Sequence, residues 1–234
     1  MIRRFHRQVA ALATVGLLSA AAASETATVQ PPLFSSLSTE APALDGNILE
    51  KAITAMDCAV NGGMEPAERL AVIDFSRPSS ERRLWIFDLR NQSLLLEELV
   101  AHGQNSGDDV ATRFSNIRGS HQSSIGLFRT QESYYGRHGY SLRMDGLEPG
   151  INDRARERAI VIHAADYVDP TWIERQGRIG RSHGCPAVRP EIARDVVDNL
   201  KGGQFLFKYY PDQDWLASSA YLNCHTSQVA GVTR

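Results

Sequence analysis

The chain has 234 residues, room for one large domain or two small ones. Apolar residues make up 42% and charged residues 22%, with a formal net charge of −2; this excludes a disordered or fibrous chain and gives no strongly basic face for nucleic acid. Past the N-terminus no apolar run reaches about 18 residues, which excludes a multi-span membrane protein.

Residues 1–24 read as a signal peptide. Arg3, Arg4 and Arg7 form a positive n-region, Val9 to Leu18 a short apolar h-region, and Ala20 to Ser24 a small-residue stretch suited to a signal peptidase. The twin arginines lack their usual surroundings, so general secretion to the periplasm or cell envelope is expected. The alternative, an uncleaved anchor, would have an apolar stretch shorter than about 18 residues. Without residues 1–24 the chain carries 22 basic and 27 acidic groups, a balance of −5. Residues 25–44, rich in Ala, Ser, Thr and Pro without periodicity, read as a flexible linker.

Residues 45–68 form a helical flank. Ile48, Leu49, Ala52, Ile53, Met56, Ala59 and Val60 recur at helical spacing over 47–60. Asn47 and Glu50 suggest a capping box, and Gly62-Gly63 a stop. Strands follow. Arg69–Phe75 ends in a Ser-Arg-Pro-Ser turn, and Leu84–Leu89 pairs with Leu94–Val100 as a hairpin around Arg90-Asn91-Gln92. Residues 102–124 show no period, and a structureless stretch of that length inside a domain is usually functional. Ile125–Thr130 and Arg158–His163 are further strands. Pro190 opens a helix over 190–201 whose stripe is Ile192, Ala193, Val196, Val197 and Leu200, with Gly202 as its stop. Gln204–Tyr210 returns as a strand, and the tail 211–234 holds a short helix from Asp214. The fold class is α+β and β-rich.

The chemistry concentrates in Gly180-Arg181-Ser182-His183-Gly184-Cys185-Pro186-Ala187-Val188. A nucleophilic cysteine needs its thiolate, which a nearby imidazole or helix N-terminus favours. Gly184 leaves backbone N–H groups near the sulfur unobstructed for an oxyanion. His163 ends a buried strand 22 residues earlier, a rigid platform for a general base. Two other readings stay open on residues alone: Cys185 as a small buried hydrophobe, or His163, His183 and Cys185 as zinc ligands.

Ser182-His183-Gly184-Cys185, with Ile162-His163 upstream at a strand end, resembles the L,D-transpeptidase catalytic domain (YkuD-like) family, in particular its murein L,D-transpeptidase branch. Ala101-His102-Gly103, Arg113-Phe114-Ser115-Asn116, Gln122-Ser123-Ser124-Ile125-Gly126, Gly139-Tyr140-Ser141-Leu142 and Gly202-Gly203 before Tyr209-Tyr210 are similar as well, so that the resemblance covers about residues 69–210. It implies a β-sandwich-like fold with a few short helices, no metal or other cofactor, and peptidoglycan stem peptides as partners. Cys185 would form a thioester at the third stem residue and pass it to an amine, with His163 as base. Ser182, His183 and Gly184 would shape the turn and, with the Cys185 N–H, the oxyanion site. Water in place of the amine would give a carboxypeptidase; a non-catalytic peptidoglycan-binding module would not need the Cys–His pair.

Pro186 and Ala187 depart from the apolar-then-Arg-or-Asn continuation of the family, and Ala164 stands where Gly is common; both bear on substrate register. Arg181, Arg189, Tyr140 and Ser124 are candidate substrate contacts, Tyr140 also as an oxyanion donor, and Ser120–Ser124 a candidate cleft seam. Trp85, Trp172 and Trp215 read as core or rim. The oligomeric state is not legible.

Three cysteines, Cys58, Cys185 and Cys224, suggest one pair and one free thiol. At 100° per residue Cys58 lies nearly opposite the apolar stripe of its helix, and Cys58 and Cys224 flank the resembling region on either side. A Cys58–Cys224 disulfide would leave Cys185 free; the alternatives are three reduced thiols or flanks that never meet.

Overall fold

The computed structural model describes residues 32–224. The proposed signal peptide and residues 25–31 of the expected linker lie outside the described residues. The rest of that linker is a correction. Helix α1 (Leu33–Glu40) occupies it, and Leu37, Ala41 and Leu44 are fully or almost fully buried. Three apolar contacts at spacings of four and three are too few to stand out in an Ala/Ser/Thr-rich background, yet they seat the segment on the core.

Helix α2 (Gly46–Asn61) is capped by Asp45, whose carboxylate accepts from the Asn47 N–H at 2.7 Å, so the cap lies two residues before the expected Asn47–Glu50 box. Gly62 ends it. Ile48, Leu49, Ala52, Met56 and Ala59 are buried. Cys58 is buried too, against the exposure expected from its angular position. The cover comes from the C-terminal segment: Cys58 and Cys224 are joined by a disulfide, with Cα atoms 6.0 Å apart. That separation lies in the range a disulfide requires.

Eight strands follow one another across a continuous sheet in the order β3-β2-β1-β8-β4-β5-β6-β7. They are β1 (Arg69–Asp74), β2 (Leu84–Asp88), β3 (Ser93–Glu98), β4 (Gly126–Gly136), β5 (Gly139–Gly146), β6 (Val161–Ala164), β7 (Ala187–Val188) and β8 (Phe205–Tyr209). Strands β1, β2 and β8 are buried at nearly every position, which is why they read as continuous apolar runs rather than alternating ones. Chain order and sheet order part company at β8, which returns from the C-terminal side to lie parallel to β1 and antiparallel to β4. Helix α2 packs on β1, β8 and β4, and helix α4 (Pro190–Leu200) on β5, β6 and β1. Trp215, from helix α5 (Gln213–Ser218), lies beside Phe207 and donates from Nε1 to the buried Glu148 carboxylate at 2.9 Å. Burying each such large apolar side chain stabilises the fold by about 1.5–3 kcal/mol.

Three elements differ from the sequence expectations. β4 runs on from the expected Ile125–Thr130 segment to Gly136 and turns through Arg137-His138 into β5, which the alternation had not marked. The expected strand from Arg158 begins only at Val161, because Ala159 takes a left-handed φ of 53° and Arg158 belongs to a turn. Helix α3 (Pro170–Gln176) is additional, capped by Asp169 and ended by Gly177 at φ 77°. Residues 102–124 carry no helix or ladder strand, and arginines hold them in place. Arg83 is fully buried and binds the Val100 and Arg77 carbonyls and His102 Nδ1. Arg181 binds the Gln104 and Gly107 carbonyls, and Arg158 the segment from Ser115 to Ser124.

Candidate active site

Strands β6 and β7 run parallel, with His163 beside Ala187 and Ala164 beside Val188. Two residues before Ala187 this register brings Cys185 alongside Val161. The Val161 N–H donates to Cys185 Sγ at 3.5 Å, and the thiol points to the Ala159 carbonyl at 3.8 Å. Cys185 is the free cysteine and is half-buried.

The turn ahead of it is locked by Ser182. Its hydroxyl accepts from the Gly184 N–H at 3.0 Å and donates to the Cys185 carbonyl at 2.6 Å. Gly184 has φ 115°, and a Cβ there would stand 2.7 Å from the Gln122 carbonyl oxygen, so the motif requires glycine on two counts. Gly103 meets the same turn: its own Cβ would come 2.9 Å from Gly184 Cα. Ser123 joins the two, accepting from the Gly103 N–H and donating to the Gly184 carbonyl. Of the expected oxyanion donors, the Gly184 N–H is given to the Ser182 hydroxyl in this structure.

His163 is buried, and its Nδ1 lies 2.7 Å from the Ala164 carbonyl. A carbonyl only accepts, so Nδ1 carries the proton and Nε2 the lone pair. The ring stacks on His138 of the β4–β5 turn, centroids 4.4 Å apart. Burial, with a smaller contribution from His138, lowers its pKa against the opposing pull of the Ala164 carbonyl. Burial raises the pKa of the Cys185 thiol, opposed by the Val161 N–H and by the charges of Lys208 and Arg158. The resting pair is thus a neutral thiol and a neutral imidazole whose basic nitrogen is Nε2. Cys185 and His163 are not hydrogen-bonded to each other: the sulfur is seated on residues 159–161, one step along β6 from the imidazole.

His183 is exposed and stacks face to face on His121 at 4.2 Å. Ser124 is fully buried and bonds the Ser115 carbonyl and Arg158, so it braces the loop and is closed to substrate. The Tyr140 hydroxyl donates to the Asp198 carboxylate at 2.9 Å, near the C-terminal end of α4. Arg189 is paired with Glu98 at 2.6 Å. Arg181 braces the Gln104–Asp108 loop, and it also lines a cavity of about 280 Å³ with Gln104, Tyr167, Trp172 and Gly180. Trp85 and Trp215 are core, while Trp172 is exposed at that cavity's rim. Among the described residues no three His, Cys, Asp or Glu side chains converge as a metal site. Sequence reasoning missed Arg158, Lys208 and His138. The one available signal was a lysine inside the apolar run Phe205-Leu206-Phe207-Lys208-Tyr209.

The structure resembles several solved ones. An L,D-transpeptidase from Mycobacterium smegmatis shares 16% identity at a TM-score of 0.38, over 62% of this chain and 60% of that one. L,D-transpeptidase 1 of Mycobacterium tuberculosis shares 14% at 0.34, over 62% and 63%. An L,D-transpeptidase from Stackebrandtia nassauensis shares 11% at 0.37, over 76% of each. The chain spans less than two thirds of the two mycobacterial chains. No curated protein matches it. The family model of the L,D-transpeptidase catalytic domain matches residues 40–209, which takes in everything from the end of α1 to the end of β8, including both His163 and Cys185. On that match, over well more than half of its length, the chain belongs to the L,D-transpeptidase catalytic domain family.

Proposed function

We propose that the protein is an exported cysteine L,D-transpeptidase acting on peptidoglycan stem peptides in the periplasm or cell envelope, with Cys185 as nucleophile and His163 as base. The observation that carries this reading is the β6–β7 register, which sets a free thiol and an imidazole with its basic nitrogen unengaged on adjoining steps of one strand pair.

The steps follow acyl-transfer chemistry. Rotation about the Cα–Cβ bond swings the Cys185 sulfur from its seat toward His163, whose Nε2 takes the thiol proton. The thiolate attacks the carbonyl carbon of the third stem residue, and the developing oxyanion is met by the Cys185 N–H. As the carbonyl reforms, the bond to the terminal D-residue breaks and His163 returns the proton to that departing amine. The thioester is then attacked by the amine of a second stem. A new amide forms, the carbon–sulfur bond breaks, and the amine's proton passes through His163. The cavity beside Arg181 and Trp172 opens next to the motif and supports Arg181 as a contact for a substrate carboxylate. The basic n-region and short apolar stretch of residues 1–24 support export.

Intact-mass measurement after incubation with a tetrapeptide stem or a carbapenem tests the reading. The expected result is an adduct on the wild type and none on Cys185→Ala. An adduct that survives in Cys185→Ala overturns it.

A further inference from the structure

His163 has a ring neighbour that the transfer steps do not use. Strands β4 and β5 run on to a two-residue turn, Arg137-His138, between the paired Gly136 and Gly139. His138 is exposed on that turn, yet its ring lies on the face of the His163 imidazole, with centroids 4.4 Å apart and ring planes 27° from parallel. His163 is only 3% exposed, so the His138 ring is part of its cover. The turn is tied to helix α4 as well. Tyr140 packs on Tyr135 across the hairpin at 5.0 Å, its hydroxyl donates to Asp198, and the Arg194 guanidinium lies 5.3 Å from its ring centre.

A single hydrogen bond, from Nδ1 to the Ala164 carbonyl, fixes one edge of the His163 ring. It leaves the tilt of the ring about that bond open, and the tilt decides where Nε2 points. A flat ring against one face closes that freedom and leaves the edge that carries Nε2 clear. Proton transfer depends on this direction, because a base takes a proton only along its lone pair. The charged groups on the elements around His163 are engaged elsewhere or neutral. Arg143 of β5 pairs with Glu132 and lies over Tyr134, Arg194 of α4 lies over Tyr140, and the Cys185 thiol ahead of β7 is neutral. His138 is the titratable side chain whose charge bears on His163.

Resting on the transpeptidase reading, we propose that His138 is a positioning residue: its ring, presented by the β4–β5 turn, sets the plane of the His163 imidazole and so aims Nε2 for proton transfer with Cys185. The bond to Ala164 decides which nitrogen carries the proton, and His138 decides where the other one points. Tyr140 then acts as the anchor of the turn, through Asp198 and Arg194 of α4.

The rate of carbapenem adduct formation against pH, read by intact mass, tests this. His138 is exposed on a hairpin turn, so His138→Ala is expected to fold, and His138→Gln takes its place with the same expectations if it does not. The variant should acylate about tenfold more slowly, less than the loss of the base itself. It should also move the acid limb of the profile up toward pH about 6.5, the ordinary imidazole value, because the cover and the neighbouring charge both hold the His163 pKa down. His138→Phe keeps a flat ring on His163 and should restore most of the rate. Tyr140→Phe loses the bond to Asp198 and should slow acylation in the same direction, with little added when it is combined with His138→Ala. A folded His138→Ala that keeps the wild-type rate and acid limb overturns the proposal, and so does a loss that His138→Phe fails to restore. A raised KM for the stem peptide at an unchanged acylation rate would make His138 a substrate contact and equally overturn it. None of these results touches the role of His163, which His163→Ala tests separately: normal acylation there would remove the base itself.

Discussion

His163 donates from Nδ1 to the carbonyl of Ala164, the next residue of its own strand, at 2.7 Å. The imidazole is oriented by backbone and needs no carboxylate for that. Ala164 can serve because a carbonyl is what the ring requires, and every residue type at that position supplies one.

His163→Ala should therefore slow acylation by about a hundredfold or more, the usual cost of a lost general base. His183→Ala should be much milder, since His183 stacks on His121 and its ring is exposed. The rate of carbapenem adduct formation measures both. A dead His183→Ala beside a near-normal His163→Ala would reverse the two roles.

Acid should weaken the fold through His102. This ring is fully buried beside the Arg83 guanidinium, and burial together with Arg83 and Arg181 pulls its pKa down to about 3. The folded protein excludes a proton that the unfolded chain accepts near pH 6.5, so the stability His102 contributes is present above pH 6.5 and is lost as pH falls toward 3. The slope approaches about 1.4 kcal/mol per pH unit in that window. Denaturant melts between pH 7 and 4 should show it, and His102→Gln should flatten it.

The thiol sets a different pH dependence. Burial raises its pKa and lowers that of His163, so above pH 6.5 the pair stands as thiol and neutral imidazole, and the acylation rate should rise as His163 loses its proton below pH 6.5 and then stay level. A rate that keeps climbing with pH up to 9 would show that a thiolate formed without His163 is the attacking group.

Gly184→Ala should abolish acylation. The new methyl would stand 2.7 Å from the Gln122 carbonyl at φ 115°, and neither the loop nor the turn can give way without moving Cys185. Loss of the adduct together with a lowered Tm is the expected pair of readings; normal acylation would show that the turn relaxes.

Reduction of the Cys58–Cys224 bond, or Cys58→Ala, should lower stability by about 2–5 kcal/mol, the range for removing a native disulfide. The acylation rate at 25 °C should hold. A thiol count of one before reduction and three after, with thermal melts in both states, checks this.

The tight turn into Cys185, the strand-end place of His163 and the buried strands were legible because each rests on local pattern. Gly184-Cys185 is a motif in the chain, and Leu84–Asp88 and Phe205–Tyr209 are short apolar runs. Strand β5 was not legible because its alternation is confined to Leu142–Asp145, too short a run to stand out behind Gly139-Tyr140-Ser141. The start of β6 was misplaced because only the folded turn tells that Ala159 adopts positive φ. Arg158 and Lys208 were missed for a related reason. Their burial is decided by Ser115–Ser124, Phe128 and Met144, which meet them only after the sheet is assembled. Cys58 shows the limit most simply: its helix face is open by angle, and a segment 166 residues away covers it.

That cover has a mechanical consequence. The bond between residues 58 and 224 makes a closed ring of everything between them, and the whole eight-stranded sheet lies within it. A protease that nicks an exposed tip such as the β4–β5 turn would cut the ring once and release nothing. The two pieces would stay covalently linked, so the nicked protein would migrate as one band on a gel until reductant is added, and as two fragments afterwards.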